Sequence, residues 1–175
     1  MSGPARALYI YEEIDTETLP VPERFALWRE TGRLPMTAEP PDAESRRRFH
    51  ICLRRLSGAS GRFADLTATP MKLSREKSHY ARDALDMVSF TLMLGPQVRH
   101  QFRDGGSSVV VQPGQILIKD FAQPATAWWQ TSSRSLNLQP SAGSLPKRRS
   151  ATRSSACTAL CCLRRAYRQC SRFNC

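Results

Sequence analysis

The chain has 175 residues, enough for one domain with a real core. Its net charge of +11 is unevenly spread: residues 1–139 hold 18 Lys/Arg and 15 Asp/Glu, whereas residues 140–175 hold 8 basic residues and no acidic one. Cysteine divides the same way, with Cys52 in the body and Cys157, Cys161, Cys162, Cys170 and Cys175 at the end, which argues against a disulfide-stapled secreted domain.

The first fifteen residues lack a basic run followed by an apolar one, and Glu12, Glu13 and Asp15 argue against a signal or transit peptide. The most apolar stretch, Met87–Leu94, is far shorter than the roughly 20 residues a membrane-crossing helix needs. A cytoplasmic protein is expected. Pro22 to Thr31 reads as a short helix, with proline at its start, Glu23 in the first turn, Gly32 as a stop, and Phe25 and Trp28 on the buried face. Pro35, Pro40 and Pro41 then mark an irregular connection.

From Phe49 the pattern takes period two, with Phe49, Ile51 and Leu53 on one face and His50, Cys52 and Arg54 on the other. Further short strands are predicted at Phe63–Thr69, Asp86–Leu94, Val98–Phe102, Ser108–Val111, Ile116–Lys119, Ala125–Gln130 and Ser135–Gln139, separated by turn residues. The clearest hairpin joins Val98–Phe102 to Ser108–Val111 through Asp104-Gly105-Gly106. Many short strands with frequent turns predict a mainly β fold, a sandwich or barrel. After Gln139 strand spacing and acidic residues stop together, so residues 140–175 are expected to be a disordered, basic, cysteine-rich tail.

Glu23 to Glu30, the hairpin, and Gln112-Pro-Gly-Gln-Ile-Leu-Ile-Lys-Asp120 together resemble the N-terminal cupin-like domain of AraC-family transcription regulators. The resemblance spans residues 15–139. It implies a cupin-like β-barrel or jelly roll behind a short N-terminal helix, binding a small-molecule effector or mediating dimerisation, as a homodimer or a heterodimer with intact relatives. In that family helices and a pair of helix-turn-helix motifs follow; here the sequence departs near Gln139, and a truncation or shift of reading frame there is the expectation.

The alternative reading is a free-standing cupin enzyme or small-molecule-binding protein, and the enzyme needs converging His and carboxylate ligands. His50, His79 and His100 are scattered, so no metal site, cofactor or catalysis is expected. Cys52 reads as a half-buried thiol. Arg46-Arg47-Arg48 with Arg54-Arg55 reads as a solvated edge, without sequence-specific nucleic-acid contact. The tail cysteines lack the paired spacing of a zinc knuckle. Trp128-Trp129 puts one ring inside the barrel and one outside. Trp128 and Phe90, the latter on the face Val88, Phe90, Leu92, Leu94, are the ligand-pocket candidates, the plain alternative being that both fill the core.

Overall fold

The computed structural model describes residues 9–31, 36–40, 42–83, 87–102 and 108–141. Numbered in chain order, the strands form two antiparallel sheets. The larger runs in the spatial order β1 (Ile10–Asp15), β3 (Ile51–Gly58), β4 (Gly61–Ala68), β11 (Ser133–Pro140), β6 (Val88–Met93) and β9 (Ile116–Asp120). The smaller runs β2 (Thr37–Glu39), β5 (Met71–Arg75), β10 (Ala125–Trp129), β7 (Val98–Phe102) and β8 (Ser108–Val111). Strands that are neighbours in space but distant in sequence, such as β4 and β11, give the pair a jelly-roll character.

The strand periodicity sets which side chains enter the core. Phe49, Ile51 and Leu53 are buried as their alternation predicts, and Leu66 and Met93 join them from the larger sheet. Met71, Leu73, Val98, Val111, Ala127 and Trp129 face them from the smaller sheet. Each buried Val, Leu, Ile, Phe or Met among them contributes on the order of 1.5–3 kcal/mol by leaving water. The helix α1 (Val21–Thr31) buries Phe25 and Trp28, and the Phe25 ring meets Phe49 edge-on with centroids 5.0 Å apart.

Two glycines are required by the backbone. Gly61 (φ +146°) closes the β3–β4 hairpin beside the end of β11, where an added Cβ would lie 2.5 Å from the Gln139 carbonyl oxygen. Gly114 (φ +80°) follows Pro113 in a turn closed by Gln115 N–H donating to the Gln112 carbonyl at 3.0 Å, the arrangement of a type II turn.

Several elements were not foreseen. Strand β1 precedes the helix and pairs with β3 from Ile10↔Ser57 to Asp15↔Cys52, so the sheet begins ahead of residue 15. The proline-rich connection contains β2, and the helices α2 (Ala43–Arg47) and α3 (Lys77–Asp83) were unassigned. The Asp104-Gly105-Gly106 turn and the Gly32 stop lie outside the described residues, as does the tail beyond Ser141. Among the described residues, no helix is long and apolar enough to cross a membrane.

Candidate ligand cavity between the sheets

The inward-facing residues leave a cavity of about 80 Å³ between the sheets. Leu53, Leu66 and Met93 from the larger sheet and Leu73, Ala127 and Trp129 from the smaller supply its apolar wall. The same alternation brings in polar groups. On β6 the buried residues are Ser89, Thr91 and Met93, and on β9 Lys119 shares its face with Leu117 because Ser89 pairs with Lys119 and Thr91 with Leu117. On β7, His100 shares its face with Val98 and pairs with Ala127. The cavity is smaller than the roughly 300–1,000 Å³ usual for drug-sized ligands, and about half the ~150 Å³ of an engineered cavity that holds benzene. A ligand of a few non-hydrogen atoms matches it.

Most polar groups around the cavity satisfy one another. Thr91 Oγ1 donates to Asn137 Oδ1 at 2.8 Å, and Asn137 Nδ2 donates to Ser135 Oγ at 3.0 Å. Arg55, buried on β3, donates through Nε to Glu12 Oε2 at 2.8 Å. Two groups differ. His100 is 3% exposed and its Nδ1 has no hydrogen-bond partner among the described residues. Lys119 makes no hydrogen bond or ion pair with a described residue, and its Nζ sits 5.5 Å from the Phe121 ring centroid.

Burial lowers the pKa of both. Lys119 is half-buried, and desolvation pulls it down to about 8. Burial, reinforced by the neighbouring Lys119 charge, pushes His100 down to about 3, so its imidazole is neutral at physiological pH. Ser89, opposite Lys119, also has a buried Oγ without a partner among the described residues.

The two residues singled out from sequence lie elsewhere. Trp129, not Trp128, lines the cavity; Trp128 is half-buried on the opposite face of β10, between its register partners Lys72 and Arg99. Phe90 is half-buried on the outer face of β6, together with Val88 and Leu92. The physical reason is that β6 presents hydroxyls to the cavity and apolar side chains outward, the reverse of the usual pattern. Outward residues align across the larger sheet as Tyr11, Leu56, Phe63, Leu138, Phe90 and Ile118, each paired with the next. Tyr11, Leu56, Phe63 and Leu138 are exposed.

Arg55 also departs from expectation: it is a buried cavity residue, whereas Arg54 is exposed and pairs with Glu13 at 2.9 Å. Cys52 is half-buried, and burial raises its thiol above the ordinary value. His79 is satisfied on both ring nitrogens: Nδ1 accepts from Glu76 N–H at 3.0 Å, leaving Nε2 to donate to Thr37 Oγ1 at 3.0 Å. His50 Nε2 lies 3.0 Å from Asp15 Oδ1. With Glu17 these two bring three potential metal-ligand atoms within 4.8 Å of one another. Asp15 Oδ1 already accepts from Glu17 N–H at 2.8 Å, capping the one-turn helix Thr16–Thr18, so the cluster has a structural use. A catalytic metal inside the sheets would need several imidazole or carboxylate ligands, and the cavity's described lining offers one imidazole beside an ammonium, which does not fit.

No family model matches the sequence, and no curated protein matches it. Solved structures do match. The AraC-like transcriptional activator CuxR superposes with a TM-score of 0.65 at 15% identity, over 74% of this chain and 46% of that one. A cupin superfamily protein from Desulfitobacterium hafniense matches 51% of this chain and 76% of its own (TM-score 0.42, 11% identity). Ectoine synthase from P. lautus matches 51% and 63% respectively (TM-score 0.41, 14% identity). This chain therefore spans just under half the length of the activator. In fold, its two-sheet unit is similar to the matching part of the AraC-like activator.

Proposed function

We propose that the two-sheet unit is the ligand-sensing domain of an AraC-like regulator, working in the cytoplasm without catalysis and without reading DNA sequence itself. The observation that carries this reading is the cavity: it is walled by both sheets and contains polar groups that no described neighbour satisfies. A buried unsatisfied group costs free energy, and a ligand that supplies its partner recovers that cost. Because the cavity spans both sheets, a ligand there biases their packing, the coupling a sensor requires.

The dimerisation part of the reading has a physical basis in the apolar row across the outer face of the larger sheet. The basic segment that follows β11 is taken as separate from the sensing unit.

The test is a thermal-shift screen of the full chain against small metabolites, followed by recovery of any ligand and metal analysis. A saturable ligand returned unchanged is the expected result. Conversion of the ligand to product, or stoichiometric iron, manganese or zinc needed for that conversion, would replace the sensor with a cupin enzyme.

A further inference from the structure

We infer that the cavity takes a compact monocarboxylate, its carboxylate facing Lys119 and His100 and its short apolar body against Met93, Leu66 and Trp129. This deepens the sensing proposal and rests on it. The described lining contains Arg55, Arg62 and Lys119 but no aspartate or glutamate. Arg55 has Glu12 as its counter-ion and Arg62 is exposed, which leaves Lys119 as the half-buried cation of the lining without a counter-ion among the described residues. A partly desolvated ammonium without a counter-ion is costly, and an anion beside it supplies the partner. His100, 3% exposed and lacking a partner at Nδ1, offers a second polar contact on the facing sheet.

Size and polarity narrow the anion further. About 80 Å³ between the sheets suits an acid of two to four carbons. The apolar part of the wall, Leu53, Leu66, Met93 and Trp129, suits an anion that carries a short hydrocarbon body better than a bare inorganic anion. One unpaired ammonium matches one negative charge. The depressed pKa values of Lys119 and His100 agree with a site lacking that charge, and both should rise when it is supplied.

The full chain would be titrated with sodium acetate, propionate, butyrate and hexanoate against sodium chloride of equal ionic strength, following thermal midpoint and tryptophan fluorescence. Sodium phosphate serves as the inorganic anion and propionamide as the uncharged analogue. Saturable binding of the two- to four-carbon acids is expected, exceeding that of hexanoate, phosphate and propionamide. Affinity for propionate should fall about tenfold or more in both Lys119→Met and Lys119→Gln, and also in the native chain between about pH 7 and 9.5. The pH effect follows Lys119 on β9, because His100 on β7 is already neutral in this range; the other polar groups facing the cavity are Arg55 on β3, Arg62 on β4, Thr91 and Asn137.

The inference is overturned if no carboxylate binds better than chloride, if phosphate or propionamide binds as well as propionate, or if both variants keep native affinity. Should both variants fail to fold, the propionamide comparison and the pH dependence decide alone. Binding of a neutral metabolite with no response to carboxylates would sink this inference and leave the sensor standing. A carboxylate that binds and is chemically converted would do the reverse.

Discussion

Replacing Lys119 with methionine should stabilise the ligand-free protein. Burial lowers the Lys119 pKa from 10.5 to about 8, and at 1.36 kcal/mol per unit that shift corresponds to on the order of 3 kcal/mol. The sign follows from proton binding. Below pH 8 both folded and unfolded chains carry the proton, so the folded state bears the whole cost of burying the charge. Between about pH 8 and 10.5 the unfolded chain binds more protons, and native stability rises with pH until the cost is gone. Methionine keeps the length of the side chain and suits the neighbouring Phe121 and Leu117. Lys119→Met should therefore raise the midpoint near pH 7 by about 6–12 °C for a domain of this size, and the advantage should shrink toward zero by about pH 10.5. Paired thermal melts by circular dichroism at about pH 7, 8.5 and 9.5 provide the comparison, with tyrosine and cysteine titration common to both proteins. A variant no more stable than the native chain near pH 7, or an advantage unchanged across the series, would refute the reasoning.

Asp83→Ala should cost about 1.5–3 kcal/mol in urea denaturation, because it removes the carboxylate to which Arg75, whose side chain is 1% exposed, donates two hydrogen bonds at 2.8 Å, leaving the bond to the Phe121 carbonyl; adding Arg75→Met should recover much of the loss. Gly61→Ala should destabilise more than Gly114→Ala: both sit at positive φ, but the first also drives a Cβ to 2.5 Å from the Gln139 carbonyl oxygen while the second meets open space, with a cost of about 1–2 kcal/mol there. Phe63→Lys with Leu138→Lys should weaken self-association in sedimentation while changing thermal stability by less than about 1 kcal/mol per site, since both side chains are exposed on the outer row.

Much of the fold is legible where strands alternate cleanly. Val98–Phe102 and Ser108–Val111 occupy the predicted spans, and Phe49, Ile51 and Leu53 enter the core on their predicted face. Strand β1 was not foreseen because Glu12, Glu13 and Asp15 disguise it as polar text; its partners Arg55, Arg54 and Cys52 lie some forty residues away, and cross-strand ion pairing compensates for what β-propensity does not supply. Strand β5 was hidden similarly, since Arg75 reads as surface until Asp83 and the Phe121 carbonyl become its partners.

The cavity was harder to read for a related reason. Hydrophobic alternation assumes that apolar side chains point inward, and that assumption fails on β6, where Ser89 and Thr91 face in and Phe90 faces out. His100 did carry a signal, because it shares parity with Val98 and Phe102 in a strand whose span was predicted. Lys119 closes an Ile-Leu-Ile run in which both parities are apolar, so spacing alone chooses no face; only pairing with Ser89 on β6 does. Adjacent tryptophans pose the same ambiguity, resolved when the pairing of Trp129 with Met71 puts it on the core side.

Titration calorimetry of the full chain with propionate near pH 7, with analysis of the recovered acid, tests the central claim most directly. One binding event per chain, strongly weakened by Lys119→Met, with the acid returned unchanged, is the predicted result. An absence of saturable heat, or equal binding by the variant, would contradict the assigned ligand class, and recovery of a converted product would contradict the sensor itself.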